Sequence, residues 1–264
     1  MNEMYVRGIL DQIIKDRVKK ETYERKSGTY YPSELPFCLR RNFYLYKIHK
    51  DLKIGTLLLF ESGSIYHRWF SELFENSPLV ENHIGENTVS YTLNGITIRG
   101  RLDDFVYFKI KKILGQWEPA VPSDTNPPFS SQSETGESEK WKERKEDGMK
   151  YDNLSLIEVK SVRNITYIRS PKPHNIMQFM FYLNRFNMTK GFIIYVDRRD
   201  LSFKIFEVDY DAKVFIELVD RAKRLHEFLL KDELPYAEAR ANKDMQWQCS
   251  FCNFREECSK GVIK

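Results

Sequence analysis

The sequence lacks any apolar run near the roughly 20 residues that a membrane-spanning helix requires. Residues 1–20 carry charges throughout and have no apolar centre of the kind found in signal peptides. Cysteine is scarce, with four residues in 264, and no internal repeat is visible. These absences argue against a membrane-spanning protein and a repeat protein. We expect a cytoplasmic protein that has no membrane partner.

The chain has only a small charge excess, with a formal net charge of +4. The excess is unevenly distributed: residues 115–150 carry −3 and the remainder carries +7. A basic body suits a polyanionic partner such as DNA, because phosphate contacts release counterions. A solvated basic surface explains the same distribution. The length and the 41% of hydrophobic residues are sufficient for a full core.

Hydrophobic periodicity predicts both helices and strands along most of the chain. The predicted helices are residues 3–25, 56–73, 174–186 and 211–230, and a further capped helix that follows Ser33 and carries Cys38. The predicted strands are residues 88–93 and 97–108, joined by an Asn94-Gly95 turn, and then 154–162, 191–196 and 201–210.

We interpret the whole chain, residues 1–264, as a single domain with three distinct parts. The N-terminal part, about residues 1–75, is predicted to be helical. Residues 115–150 are rich in Pro, Ser and Glu and are too long for an ordinary connection, so we interpret them as an insertion. A closing segment, about residues 235–264, holds three of the four cysteines.

The cysteines follow an asymmetric pattern: Cys38 alone, then Cys249-x2-Cys252-x5-Cys258. In a cytoplasmic protein, close cysteine spacing indicates a metal site or catalysis before a disulfide. Structural zinc sites usually have two close pairs, and a distant first cysteine fits that arrangement poorly. The pattern therefore favours a 4Fe–4S cluster that joins the two ends of the chain, with zinc and four unrelated buried thiols as alternatives.

Acidic residues lie on two of the predicted strands. Asp103 follows a strand of alternating character, and Glu158 and Lys160 share one face of the next strand because strand side chains alternate. Carboxylates bind Mg²⁺ or Mn²⁺, the cation activates water, and a nearby lysine positions that water, which is the chemistry of phosphodiester hydrolysis. Glu-x-Lys is common on exposed strands, but the apolar residues around Glu158 favour a functional role.

Three further residues have both a structural and a functional interpretation. His67 follows Gly63 by one helical turn and is either a packed histidine or a third metal ligand. Gln178 and Tyr182 lie four residues apart on an apolar helix, so they face the same side. They are either a boundary residue and a core residue or contacts to the water or the DNA backbone.

The order of these motifs resembles the RecB-like branch of the PD-(D/E)xK nucleases, and the CRISPR-associated RecB-like exonucleases in particular. The family pattern is a cysteine, a histidine on a helix, a G-x-x-D strand, a D/E-x-K strand, a Q-x3-Y helix and a terminal cysteine trio. The matching positions of this sequence are Cys38, His67, Gly100 to Asp103, Glu158 to Lys160, Gln178 to Tyr182, and Cys249, Cys252 and Cys258. The long insertion between the Asp103 and Glu158 strands departs from the pattern.

The resemblance implies an α/β fold of the α+β kind: a mixed central sheet flanked by helices, with a restriction-endonuclease-like core and a C-terminal cysteine cluster. It implies that His67, Asp103, Glu158 and the carbonyl of Val159 bind Mg²⁺ or Mn²⁺. Lys160 would orient or activate the attacking water, supported by Gln178 and Tyr182. The four cysteines would bind a 4Fe–4S cluster.

The implied function is a DNA exonuclease, or end-trimming endonuclease, of CRISPR spacer acquisition. Its substrate would be single-stranded DNA or DNA with single-stranded ends, and its partner the CRISPR integrase. A stand-alone repair or viral recombination nuclease is the first alternative. A zinc-stapled scaffold that binds nucleic acid without catalysis is the second.

Overall fold

A computed structural model of the chain describes residues 3–19, 25–50, 54–108 and 154–261. Its strands are β1 (Thr29–Tyr30), β2 (Val80–Leu93), β3 (Ile96–Phe108), β4 (Leu154–Val162), β5 (Lys190–Asp197) and β6 (Phe203–Asp209). Its helices are α1 (Glu3–Lys19), α2 (Leu39–Lys47), α3 (Ile54–Glu75), α4 (Pro173–Arg185), α5 (Ala212–Lys231), α6 (Glu238–Ala241), α7 (Trp247–Ser250) and α8 (Arg255–Lys260). The predicted insertion at residues 115–150 lies outside the described residues.

The strands form one mixed sheet in the order β1-β3-β4-β5-β6, with β2 paired to β3. β3 is antiparallel to β2 and β4, β4 is parallel to β5, and β5 is antiparallel to β6. Because β2 pairs along the whole of β3, β1 and β4 share the opposite edge of β3. The mixed sheet flanked by helices confirms the fold class predicted from the sequence.

Helices cover both faces of the sheet. On one face, Phe70 of α3 packs with Ile157 and Val159 of β4 in a small apolar core. On the other face, Leu156 of β4 belongs to the main core together with Phe179 of α4. The side chains of β4 alternate between two covered faces, so apolar residues occur on both of its sides rather than on one.

The β2–β3 hairpin closes at the predicted Asn94-Gly95 turn. Asn94 has φ 50° and Gly95 has φ 79°. Positive φ at both positions is what a tight two-residue hairpin turn requires. The hairpin is longer than predicted, because β2 begins at Val80 rather than Thr88. The residues between them are mainly polar and give no strand pattern, and their pairing with β3 holds them extended.

One helix boundary was predicted wrongly. The capped helix expected directly after Ser33 begins at Leu39, and Cys38 is its N-cap residue, which makes no side-chain capping hydrogen bond. Pro36 explains the later start, because proline has no N–H to donate and disfavours a helical conformation in the residue before it. Cys38 therefore lies at the start of α2 and not within it.

The remaining helix and strand predictions agree with the structure within a few residues. α5 begins directly after Asp211, whose side chain caps the helix by accepting a hydrogen bond from the Lys213 N–H at 2.8 Å. The helix predicted for residues 3–25 is present over Glu3–Lys19, and residues 20–24 lie outside the described part. None of the described helices combines the length and the apolar character needed to cross a membrane.

Candidate active site

The candidate site lies where β3 and β4 separate. Their pairing runs from Tyr107 opposite Leu154 to Asp104 opposite Ile157 and ends there. The next residue along each strand is Asp103 on β3 and Glu158 on β4. Both are buried, with 6% and 1% of their surfaces exposed. The separation of the strands thus leaves two carboxylates next to each other inside the protein.

Asp103 takes the place of a strand partner for the backbone of β4. Its Oδ2 accepts a hydrogen bond from the Val159 N–H at 2.8 Å. In a β-strand, the N–H and C=O of one residue point to the same edge, so the Val159 carbonyl is directed toward the Asp103 side. The carbonyl predicted as a metal ligand therefore faces the carboxylate predicted to bind the same metal.

Glu158, Lys160 and Gln178 form a closed set of polar contacts. Lys160 Nζ lies 2.5 Å from Glu158 Oε1 and donates to Gln178 Oε1 at 3.1 Å. Gln178 Nε2 donates to the same Glu158 oxygen at 2.8 Å. The second oxygen, Glu158 Oε2, is buried and has no hydrogen-bond partner. β4 and α4 therefore contact each other through the Glu158 carboxylate. Its Oε1 accepts the hydrogen bonds, and its Oε2 makes none.

Tyr182 joins this set to the G-x-x-D strand. Its hydroxyl donates to the Arg101 carbonyl at 2.8 Å and lies 3.4 Å from Gln178 Nε2. A Cβ atom at Gly100 would lie 2.8 Å from a ring carbon of Tyr182 and 2.8 Å from Pro32 Cγ. The glycine of the motif is therefore required by the close approach of the tyrosine ring to β3.

His67 reaches the site from α3. Its Nδ1 lies 2.9 Å from Asp103 Oδ1, and 22% of its side chain is exposed. The structure thus brings His67 to the carboxylate that the sequence analysis paired with it. A glycine four residues before His67 has no steric reason here, since a Cβ at Gly63 would meet nothing within 4 Å.

The electrostatics of the two carboxylates differ. Burial, followed by the charge of the neighbouring Asp103, raises the pKa of Glu158 to about 7. Burial would also raise the pKa of Asp103, but His67 and Lys160 bring it below its ordinary value. Burial lowers the pKa of Lys160, yet the charges of Glu158 and Asp103 outweigh it, so this pKa is raised and the lysine stays protonated. The pKa values of the two neighbouring carboxyls are therefore shifted in opposite directions.

A second polar cluster next to the site was not predicted. Asp104 Oδ1 accepts a hydrogen bond from the Ser71 hydroxyl and lies 2.7 Å from His83 Nε2. Asp104 Oδ2 is buried without a partner, and burial raises the pKa of this carboxyl. These contacts connect Ser71 of α3 and His83 of β2 to Asp104 of β3. The Asp103-Asp104 pair was visible in the sequence, but nothing in it indicated Ser71 or His83.

All four cysteines line one cavity. The cavity has a volume of about 390 Å³ and lies between α2 and the closing segment. Three arginines, Arg41, Arg240 and Arg255, line it as well. Burial raises the pKa of the Cys252 thiol, and it lowers the pKa of the Arg41 guanidinium. The structure therefore places Cys38 with the C-terminal trio around one cavity, whose lining includes three arginines.

The side chains around these two centres do not form a finished ion site. Within residues 3–19, 25–50, 54–108 and 154–261, no three His, Cys, Asp or Glu side chains are grouped so that they could hold a metal ion. At the carboxylate site, His67 and Lys160 occupy one oxygen of Asp103 and one of Glu158. Cation binding there requires at least one of these contacts to open.

Comparison with family models and with curated proteins returns no match. Among solved structures, the chain is similar to the crystal structure of SSO0001, with a TM-score of 0.55 and 17% identity over 95% of this chain and 94% of that chain. LHK-Exo, an alkaline exonuclease from Laribacter hongkongensis, has a TM-score of 0.41 and 13% identity over 78% of this chain and 90% of that chain. Its complex with dAMP has a TM-score of 0.41 and 14% identity over the same shares. The first likeness shows a shared fold over nearly the whole chain, and no activity follows from these likenesses.

Proposed function

We propose that the protein is a DNA nuclease that depends on Mg²⁺ or Mn²⁺. The observation that carries the proposal is the meeting of Asp103, Glu158 and Lys160, which are up to 57 residues apart in sequence, at one buried point. Burying two carboxylates and a lysine together costs free energy, and such clusters are concentrated at functional sites. A scaffold protein without catalysis has no use for this arrangement.

The donor atoms suit a hard divalent cation. Asp103 and Glu158 supply carboxylate oxygens, and the Val159 carbonyl faces the same space. Glu158 Oε2 is buried and has no partner, so one ligand atom is already free. Burial and the neighbouring Asp103 charge raise the pKa of Glu158 to about 7, and a bound cation would favour the ionised form of this carboxyl. His67 would become a ligand of the cation once the contact between its Nδ1 and Asp103 Oδ1 has opened.

The side chains of the candidate site have different roles in the proposed hydrolysis. A bound divalent cation lowers the pKa of water and offsets charge on the phosphate. Asp103 and Glu158 would hold that cation where β3 and β4 stop pairing. Lys160, kept protonated by the two carboxylates, orients the attacking water and faces the charge that develops on the phosphate oxygens. Gln178 fixes the positions of Lys160 and Glu158 relative to each other, because it hydrogen-bonds to both side chains.

The proposal includes a 4Fe–4S cluster on the four cysteines. Structural zinc sites usually have two close cysteine pairs, whereas this sequence has one distant cysteine and a C-terminal trio. All four cysteines line a cavity of about 390 Å³. The three arginines that line the same cavity suit the net negative charge of such a cluster. The cluster would supply structural support.

The motif order supports a narrower assignment. We assign the protein to CRISPR spacer acquisition, as an exonuclease on single-stranded DNA or an end-trimming endonuclease that works with the CRISPR integrase. A repair or viral recombination nuclease would have the same chemistry in another context. Adjacency of the coding sequence to a CRISPR array supports the first assignment, and adjacency to repair or phage genes supports the second.

Cleavage of end-labelled DNA tests the proposed activity. We expect the wild type with Mn²⁺ to degrade single-stranded DNA, and Lys160→Ala to lose this activity while remaining folded. Lys190→Ala is the matched control, because Lys190 lies on β5 of the same sheet but is paired with Glu207 at the surface. Labels at the two ends distinguish exonuclease from endonuclease products. Equal activity in the wild type and Lys160→Ala would reject the site.

A further inference from the structure

Three aromatic side chains from distant parts of the chain meet beside the candidate site. We call Phe37, His174 and Trp247 the aromatic cluster. The His174 ring lies 5.3 Å from the Phe37 ring and 5.5 Å from the Trp247 ring, measured between centroids. Phe37 and Trp247 are 6.2 Å apart in an edge-on arrangement. Phe37 adjoins Cys38, and Trp247 lies two residues before Cys249.

The aromatic cluster borders the proposed catalytic site. His174 lies on α4 one turn before Gln178, which contacts both Glu158 and Lys160. The charge of Lys160 acts on His174 as well: burial, then Lys172 and Lys160, lowers the pKa of His174 to about 4. The His174 ring is therefore uncharged at neutral pH, and it offers an aromatic face rather than a cation.

The aromatic cluster is accessible and lies close to positive charge. Trp247 is 45% exposed, which is unusual for a side chain of this size already packed on two other rings. The Arg41 guanidinium lies 5.0 Å from the centre of the Phe37 ring. An exposed aromatic surface with an arginine beside it is the combination that binds the bases and phosphates of an unpaired strand.

We propose that the aromatic cluster, through Trp247, stacks on an unpaired base of the DNA strand that is cleaved at the carboxylate site. This rests on the proposed nuclease function and adds a residue that contacts the bases of the substrate. A base within a duplex is stacked on its neighbours and cannot offer its face to a side chain. The cluster therefore selects single-stranded DNA or a frayed end over a blunt duplex.

Binding of two oligonucleotides of equal length, one oligothymidylate and one abasic, tests the proposal. Fluorescence anisotropy without divalent metal measures affinity in the absence of cleavage. We expect Trp247→Leu, which keeps an apolar side chain but removes the aromatic face, to weaken oligothymidylate binding roughly five- to a hundredfold. Trp247→Phe should retain most of the affinity. Neither change should alter binding of the abasic strand, whose phosphates are the same.

Phe251→Ala is the matched control for disturbance of the cysteine segment. Phe251 lies between Cys249 and Cys252 and is 79% exposed. We expect this variant to bind both strands like the wild type. Equal affinity of the wild type and Trp247→Leu for oligothymidylate would overturn the stacking proposal and leave the nuclease assignment intact, and so would equal weakening for the two strands. Failure of the wild type to bind either strand would count against the proposed function itself.

Discussion

Gly100 and Tyr182 show why one motif position accepts no side chain. The Tyr182 ring lies directly against the backbone of β3, where its hydroxyl also bonds the Arg101 carbonyl. A Cβ at Gly100 would come within 3.0 Å of the ring and of Pro32, closer than real Cβ atoms approach other atoms. Because Gly100 has no side chain, α4, which carries Gln178 and Tyr182, can pack against β3 near the two carboxylates.

A glycine pair provides the first prediction. Gly100→Ala should lower the free energy of unfolding by about 1–3 kcal/mol, because the added methyl forces Tyr182 or Pro32 to move. Gly63→Ala, the control, adds the same methyl in open space within α3 and should raise the free energy of unfolding by about 0.5–1 kcal/mol. Urea unfolding measures both. Unchanged stability of Gly100→Ala would contradict the steric explanation.

The sequence revealed the catalytic candidates more easily than their neighbours. Glu158 and Lys160 were identifiable because charged residues interrupted an apolar strand, and that signal is local. His83 and Ser71 carry no such signal, since a histidine and a serine at those positions are ordinary. They become notable only when β2 and α3 bring them to Asp104. Such a cluster depends on contacts between elements.

Among the elements, α5 holds the turn that precedes α2. The Arg221 side chain, 7% exposed, donates at 2.6 Å to the carbonyls of Leu35 and Phe37 and pairs with Glu238 of α6. These carbonyls belong to the turn in which Pro36 prevents helix formation, so they need donors from elsewhere. Arg221 thereby fixes Cys38 at the start of α2.

The second prediction concerns this arginine. Arg221→Ala should lower the free energy of unfolding by on the order of 3 kcal/mol, because it removes the guanidinium donor of the Leu35 and Phe37 carbonyls and the ion-pair partner of Glu238. Arg224→Ala on the exposed side of α5 is the control and should change it little. Thermal unfolding of the two variants is the measurement. If they were equally stable, Arg221 would not hold the turn.

Asp197 fixes the connection that leads from β4 to the helix of Gln178. The buried carboxylate accepts hydrogen bonds from the Ile165 N–H at 2.9 Å and from the Arg199 backbone and guanidinium. The Arg199 guanidinium, with the backbone N–H groups, holds the pKa of Asp197 well below its ordinary value. A carboxyl with a lowered pKa contributes stability above its unfolded pKa, near 4, and loses it as pH falls through the folded pKa.

The third prediction follows from the lowered pKa of Asp197. Asp197→Asn should be less stable than the wild type at neutral pH. The difference should shrink as pH falls below about 4, where the Asp197 carboxyl of the unfolded chain begins to take up a proton while that of the folded protein stays charged. Asp209→Asn, an exposed change at the end of β6, is the control and should alter stability little. Urea unfolding over this pH range makes the comparison. A difference that stays constant with pH would contradict the role of the Asp197 charge.

Element boundaries could be predicted where their cause was local. The Asn94-Gly95 turn was confirmed, and the helix predicted from residue 211 begins at Ala212, because the chemistry of both features lies within a few residues. The start of α2 was predicted wrongly because Ser33 suggested a cap while Pro36 prevented the helix. The extension of β2 to Val80 could not be predicted, since pairing with β3 and not the sequence of β2 holds it.

For the whole molecule, the cysteine cavity joins residue 38 to residue 258. Such a connection closes a very long loop, and a bound cluster would contribute its binding free energy to folding. The cysteine pattern predicted that Cys38 and the terminal trio belong to one centre, and all four line one cavity. The identity of the bound group stays a prediction.

The fourth prediction concerns this group. Protein purified without oxygen should be brown and contain iron, and Cys252→Ala should lose iron and unfold at a lower temperature because one ligand is missing. Ser250→Ala, an exposed change in the same segment, should alter neither property. Metal analysis and thermal unfolding measure the outcome. A colourless protein that contains zinc would contradict the cluster assignment.

The most direct test of the account is the rate of single-turnover cleavage of single-stranded DNA, measured against Mn²⁺ concentration. Asp103→Asn should require more Mn²⁺ for half of its maximal rate, because it loses a charged ligand. Lys160→Ala should have a far lower rate at saturating Mn²⁺ with little change in the concentration required. Cleavage that persists without any divalent cation, or that is unaffected by both substitutions, would show that these residues do not form the catalytic centre.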